Sequence, residues 1–318
     1  MIPMRTEITR PVAGGGAASA SPPEVDGDID HLATGAGRDR VRIDRVATVA
    51  MHAAFVLALV PLVWILWTVI SRGYSLLLTS TWWTNSQRGI TVRDVGGGAY
   101  HAIFGTLEQA GVTAVISVPI GILTAVYLVE YGRGRIAKTV SFMVDILTGI
   151  PSIVAALTVY ALWITTLGLD RVGFAVSLAL VLLMIPVIVR STEEMLRLVP
   201  NELREASYAL GVPKWKTIVK IVLPTAFSGI ITGVLLGLAR VIGETAPLLI
   251  LGPYTKSINT DLFNGPMAAL PTMINQDRTE FLAAAVGRTW AAALTLILVV
   301  MVLNLTGRII ARFGAIKA

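Results

Sequence analysis

No cysteine occurs among the 318 residues. That absence excludes a disulfide framework, thiolate metal sites and a thiol nucleophile, and it leaves the redox compartment unspecified. Charge is scarce too. Asp, Glu, Lys and Arg make up 14% of the chain, against about 25% in a soluble domain. Histidine is confined to His31, His52 and His101. They are expected in a tail, near the start of the first apolar stretch and at an interface, so a pair of intramembrane haem ligands is missing. The dipeptide Gly-Lys is absent, which rules out a phosphate-cradling P-loop of the G-x-x-x-x-G-K-S/T kind. Neither H-E-x-x-H nor G-x-S-x-G is found, and with them go two common hydrolase chemistries. The chain is therefore not expected to be an enzyme, and no cofactor or metal is expected on it.

What is present is apolar: 54% of the residues, with a mean hydropathy of +0.73. Six stretches approach the roughly 20 residues that a bilayer crossing requires. They lie near 47–70, 103–130, 139–164, 172–190, 224–251 and 281–308. The fold class is all-α, a polytopic membrane protein with six transmembrane helices. Residues 1–45, rich in Gly, Ala, Ser, Pro and Asp, show neither helical nor strand periodicity and read as a disordered cytoplasmic tail. Residues 46–312 form the transmembrane domain, and 313–318 a cytoplasmic C-terminus. The polar segment 71–102, with Trp82, Trp83 and Tyr100, suits an interfacial loop. Segment 252–280 carries Gly252, Pro253, Gly265, Pro266 and Pro271, and is expected to be a loop with at most a short surface helix. Gly149, Pro151 and Ser152 are expected to kink the third span.

The net charge is +6, and the basic residues are unevenly placed. Sixteen Lys and Arg flank one side of the spans, in clusters at 38–45, 133–138, 190–220 and 308–317, and seven flank the other. This bias places both termini in the cytoplasm of a plasma (inner) membrane. In such a chain a basic excess sets orientation and contacts lipid headgroups; it does not imply nucleic acid. No internal repeat is visible, which disfavours an inverted-repeat transporter.

The cytoplasmic loop 191–224 has internal order. Asn201 is placed to cap a short helix through Leu210. Gly211 supplies a left-handed C-terminal residue, and Pro213 opens a second helix. Two short helices meeting at a glycine form a knuckle. An interfacial linker, with Trp215 and three lysines reaching headgroups, is the alternative.

Span five carries a polar stripe. At about 100° per residue, Gly229, Gly233, Gly237, Arg240, Glu244 and Pro247 share one face. Glycines four apart allow close helix packing. An arginine at bilayer depth costs about 2.5–3.5 kcal/mol on insertion scales, so Arg240 must face protein or water. The stripe is expected to face a partner subunit or line a pore. Arg240 and Glu244 could simply neutralise each other, or Arg240 could meet a transported oxyanion through its planar fork. Asp145 in span three is expected to pair with a neighbouring helix or sit at the near interface. Glu108 is expected to be solvated.

The spacing Glu205-Ala206-Ser207, three residues, Gly211, nine residues, Ile221, one residue, Leu223-Pro224 resembles the docking loop of ABC importer membrane subunits. Ser207 stands where that pattern has a second alanine. The run LARVIGETAPLL from Leu238, with PIGILTAVYLVEYG from Pro119 and ILTGIPSIV from Ile146, resembles the A-type permease of the phosphate-specific transport (Pst) family. The likeness covers most of 100–310. It implies the type I importer permease fold, with inorganic phosphate as substrate. The implied partners are a second homologous permease in a heterodimer, two copies of a cytoplasmic ATPase carrying ATP-Mg, and an extracytoplasmic phosphate-binding protein. It also implies ATPase contact through Glu205, Ala206 and Gly211, and phosphate passage by Arg240 and, by position, Arg190. A permease for sulfate or molybdate, or an ion-coupled secondary transporter using Glu244 or Asp145, are the rival readings; a membrane-embedded enzyme subunit or scaffold is a third.

Overall fold

The computed structural model describes residues 29–314, with side chains from 40 to 312; the expectations for 1–28 and 315–318 lie outside the described residues. Twelve α-helices are described, and no strand among the described residues. The chain divides into two units, Met1–Trp64 and Ile65–Ala318. The first contributes the early part of α1 (Ile29–Leu77), which is uninterrupted at Pro61. Among the described residues, helix is present from Ile29 onward, within the stretch 1–45 expected to be a tail.

Five helical stretches are long and apolar enough to cross a membrane: Arg40–Leu77, Tyr100–Tyr131, Gly173–Arg197, Lys214–Ile242 and Ala283–Arg312. The third expected span is instead two helices, α4 (Gly134–Gly149) and α5 (Ser152–Val159), bent by 107°. The break sits at Ile150 and Pro151, both extended at ψ 127° and 140°. Proline disfavours the helical region for the residue before it, so the expected kink becomes a sharp turn.

The second unit is built around α6 (Gly173–Arg197), whose Ala175, Val176, Ala179, Leu180, Met184 and Ile188 are buried. Helix α3 (Tyr100–Val126) packs against it closely. A Cβ on Gly121 would stand 2.7 Å from Ile188 Cγ2. On another side lies α9 (Leu223–Ile242). Gly229 faces Met195, Gly233 faces Ser191, and Gly237 faces Met184 and Ile188. The stripe is expected to face a partner subunit or line a pore; its three glycines are instead occupied by α6 of the same chain. The reason is volume: α6 offers Ser191 and flexible methionines, which fill the hollows that glycines leave. A Cβ at Gly233 would lie 2.1 Å from Ser191 Oγ and 2.6 Å from Ser191 Cβ. Gly233→Val is therefore expected to destabilise the chain by about 1–3 kcal/mol, read as a lowered unfolding midpoint in detergent.

The Tyr100 end of the bundle is closed by a packed cap. Trp82 in α2 (Ser80–Thr84) is fully buried, and its indole N–H donates to Thr295 Oγ1 at 2.9 Å. A hydrogen-bonding partner for the indole lets the ring enter the protein core. Helix α11 (Leu270–Asp277) is likewise buried through Leu270, Pro271 and Met273 rather than lying on the surface. Arg288, in α12 (Ala283–Gly314), pairs with Asp277 at 3.2 Å and donates to the carbonyls of Asp94 and Thr91. Tyr254 donates to Gln87 Oε1 at 3.0 Å. Burial, followed by the nearby Asp277 carboxylate, pushes its phenol above the ordinary range. Glu108, expected to be solvated, has its Oε2 buried without a partner.

Candidate functional site: a helical knuckle and two arginines

At the opposite end of α3 the chain forms the knuckle. Helix α7 (Asn201–Ala209) and helix α8 (Lys214–Thr217) meet at Gly211, whose φ is +73°. The left-handed residue thus falls where expected, and it ends α7 because only glycine occupies that region without Cβ strain. The two starts shift in opposite directions: α7 begins at Asn201, the expected cap itself, with Pro200 as its cap, and α8 begins at Lys214, one residue after Pro213, which becomes its cap. Asn201 Oδ1 accepts instead from Arg204 Nη1 at 3.3 Å.

Glu205, Ala206 and Leu210 are exposed on the knuckle, while Ser207 is buried. Ser207 Oγ and Thr217 Oγ1 lie 2.8 Å apart and share a hydrogen bond across the turn. The serine that replaces alanine in the docking pattern therefore staples α7 to α8. Ile221 sits in a widened, π-wound turn, Ile218–Val222, that carries α8 into α9. Leu223 and Pro224 follow at the start of α9, bordering an apolar groove with Val118 and Ile122.

Beneath the knuckle lies a charged joint that no spacing rule would reveal. Glu130, in the π-wound end of the α3 span (Tyr127–Tyr131), accepts on Oε1 from Arg204 Nε at 3.1 Å and Nη2 at 3.0 Å. Lys214 Nζ donates to the Glu130 carbonyl and sits 4.8 Å from the centre of the Tyr131 ring. Arg204 also donates to the carbonyls of Leu196 at 2.9 Å and Val199 at 2.7 Å. It thereby satisfies acceptors that the end of α6 leaves open, with its charge at the favourable pole of that helix.

The two arginines assigned to substrate passage lie apart. Arg190 points to α4. Its Nη1 donates to Glu193 Oε2 at 2.6 Å, and its Nη2 donates to Asp145 Oδ1, to Ser141 O at 3.1 Å and to Ser141 Oγ at 3.0 Å. Asp145 is thus paired with a neighbouring helix. Glu193 also holds Arg197. The Arg190 fork is spent on groups of its own chain.

Arg240 differs. It lies near the far end of α9, seven residues, or about 10 Å, beyond the Gly233 contact with Ser191. Its Nε is 3.8 Å from Glu244 Oε1, too long for a hydrogen bond. Its side chain is 48% exposed, against 17% for Glu244. The helix ends at Ile242, so the regular stripe does not reach Glu244 or Pro247, though Glu244 stays beside the guanidinium. Among the described residues, no group of three or more His, Asp or Glu is placed to hold a metal ion.

Residues 117–313 match the family described as the binding-protein-dependent transport system inner membrane component. The chain is 58% identical over 280 residues to the phosphate transport system permease protein PstA 1 of Mycobacterium tuberculosis H37Rv, covering 88% of this chain and 90% of that one. It is 38% identical to the PstA of Yersinia pestis over 84% of this chain and 89% of that one. Among solved structures, a bacterial alginate ABC transporter in complex with its pentasaccharide-bound periplasmic protein aligns over 86% of this chain and 96% of that one. Its TM-score is 0.59 and its identity 16%, so the likeness is one of fold. An inward-facing MetNI methionine ABC transporter aligns over 68% of this chain and 94% of that one, with a TM-score of 0.53 and 21% identity. An all-α bundle of apolar spans, a glycine-hinged knuckle at one end and these relatives converge: the chain belongs to the binding-protein-dependent transport system inner membrane component family, and within it to the phosphate transport system permease proteins.

Proposed function

We propose that this chain is the membrane-spanning permease subunit of an ATP-binding cassette importer that moves inorganic phosphate into the cell. The observation that carries the substrate reading is Arg240. It is a cation inside an apolar helix whose hydrogen-bond donors are not consumed by Glu244 at 3.8 Å. An oxyanion offers such a fork two parallel acceptors. Arg190, held by Asp145, Glu193 and Ser141, would serve phosphate only by exchanging one of those partners. We therefore assign Arg240 the contact with the anion, Glu244 the holding of the empty guanidinium, and Arg190 a secondary place at the inner end.

The bent pair of α4 and α5 counts as one span in this reading, making six, with both termini in the cytoplasm of the plasma membrane. A second homologous permease completes the pore. Two copies of an ATPase bind ATP-Mg and engage the knuckle through Glu205, Ala206 and Gly211, and a phosphate-binding protein delivers the anion from outside. The chain supplies the path and the lever; bond-breaking chemistry stays on the ATPase. Closure of the ATPase shifts the permease between its two states only by binding one better than the other.

Competition uptake tests the substrate. Labelled phosphate accumulation by cells dependent on this importer is expected to persist in a large excess of sulfate or molybdate and to fall with unlabelled phosphate. Displacement by sulfate or molybdate would instead assign the path to another tetrahedral oxyanion.

A further inference from the structure

We infer that Glu130 is the positioning residue that couples the knuckle to α3, so that movement imposed on the knuckle by the ATPase is passed to a helix that the chain does not connect to it directly. This inference rests on the reading of the knuckle as the ATPase docking site.

Chain connectivity already ties the knuckle to two helices. Helix α6 leads into α7 through Leu198–Pro200, and α8 runs through the wide turn Ile218–Val222 into α9. Helix α3 has no such link; Glu130 is 74 residues from Arg204 and 84 from Lys214. Among the described residues, the hydrogen bonds from α7 and α8 to the end of α3 all converge on Glu130: two on its carboxylate from Arg204, and one on its carbonyl from Lys214. The two cations come from opposite arms of the Gly211 turn, so one residue grips both arms.

The grip is strong and directional. Glu130 and Arg204 side chains are 6% and 13% exposed. At that burial, removal of one partner strands the other charge away from water, and hydrogen bonds between ions are stronger than neutral ones. The knuckle's own shape does not depend on this joint. Ser207 and Thr217 close α7 onto α8 independently, and Gly211 turns the chain between them. Docking and transmission are therefore separable: a chain without the Glu130 charge keeps the surface the ATPase grasps and loses the tie to α3. Both wide turns, Tyr127–Tyr131 and Ile218–Val222, lie at this joint, in keeping with the use of π-wound turns at functional positions.

The test uses the whole importer in proteoliposomes: this chain, its second permease, the ATPase and the binding protein. Phosphate transported per ATP hydrolysed is measured alongside ATPase retained on affinity purification. Glu130→Gln is expected to retain the ATPase and lower phosphate per ATP by about tenfold or more. Lys214→Met removes the bond to the Glu130 carbonyl and the cation over the Tyr131 ring, leaves the Glu130–Arg204 pair in place, and is expected to lower the same ratio to a smaller degree. It decides the matter if the Glu130→Gln chain does not fold into the membrane at all. An unchanged ratio in an assembled Glu130→Gln complex overturns the inference, as does loss of the ATPase from either variant, which would make Glu130 part of the docking surface itself. The docking reading is checked separately. Because the chain has no native cysteine, Leu210→Cys, at a residue 83% exposed, gives a single thiol for cross-linking to the ATPase. Absence of that cross-link in an otherwise unmodified chain would sink the docking reading, not the role of Glu130.

Discussion

Arg240→Gln is expected to lower phosphate uptake by about a hundredfold or more while the complex still assembles, since a charge-assisted hydrogen bond is worth about 1.5–3 kcal/mol and a fork makes two. Glutamine keeps a polar, hydrogen-bonding side chain of moderate length but loses the positive charge and the paired N–H geometry. The native partner is a single carboxylate at 3.8 Å, so little folding energy hangs on this pair, and the loss should appear in transport. Glu244, 17% exposed, would be left without its neighbouring cation. The double variant Arg240→Gln, Glu244→Gln removes that complication and should transport no better than the single one. Labelled phosphate uptake beside co-purification of the second permease and the ATPase reads both effects. Normal uptake by an assembled Arg240→Gln complex would take Arg240 off the path.

Gly211→Val is expected to break the link between ATP hydrolysis and transport. A Cβ at Gly211 meets nothing within 4 Å, so the substitution causes no clash. Its effect is on the backbone: at φ +73° a side-chain-bearing residue costs about 1–2 kcal/mol, and a β-branched one is a genuine outlier. The turn would move toward negative φ and re-aim α7 against α8, straining the Ser207–Thr217 bond. A graded series isolates the cause. Asparagine tolerates the left-handed region and should stay near wild type, alanine should fall between, and valine should lose most uptake while ATP is still hydrolysed. Equal coupling across Gly, Asn, Ala and Val would show that this turn is not used to transmit movement.

The parts of the fold visible in the sequence were those set by local composition. Long apolar runs marked the spans, and an isolated glycine after a helical stretch marked the left-handed turn at position 211. Proline 151 signalled a break, but only packing decides how far a broken helix folds back, and the 107° bend followed from two successive extended residues. The glycine stripe of α9 was legible as a close-packing face, whereas its neighbour was not. Small residues state that something comes near, not whether it is α6 or another subunit. Trp82 read as interfacial because tryptophans gather there, and its burial depended on Thr295, 213 residues away. Glu130, Arg204 and Lys214 carried no signal for the same reason. Each taken alone is an ordinary charged residue at a membrane-proximal position, and their meaning arises from contact across 74 and 84 residues.

Arg240 and Arg190 show how structure separates two residues of the same type. Both are cations in apolar helices, and both were candidates for the anion path. Arg190 has two carboxylates and a serine within hydrogen-bond reach, so its desolvation is offset inside the chain. Arg240 has one distant carboxylate and an open side. A transported oxyanion gains more from the second arrangement, because no existing hydrogen bond must be surrendered first.

Purified chain, reconstituted alone and then together with the second permease, ATPase and binding protein, gives the most direct measurement: labelled phosphate accumulated inside sealed vesicles against a gradient, with and without internal or external ATP-Mg as orientation requires. Accumulation is expected only from the complete assembly and only with hydrolysable nucleotide. Uphill accumulation by this chain in isolation would contradict the assignment of the energy source to a separate ATPase.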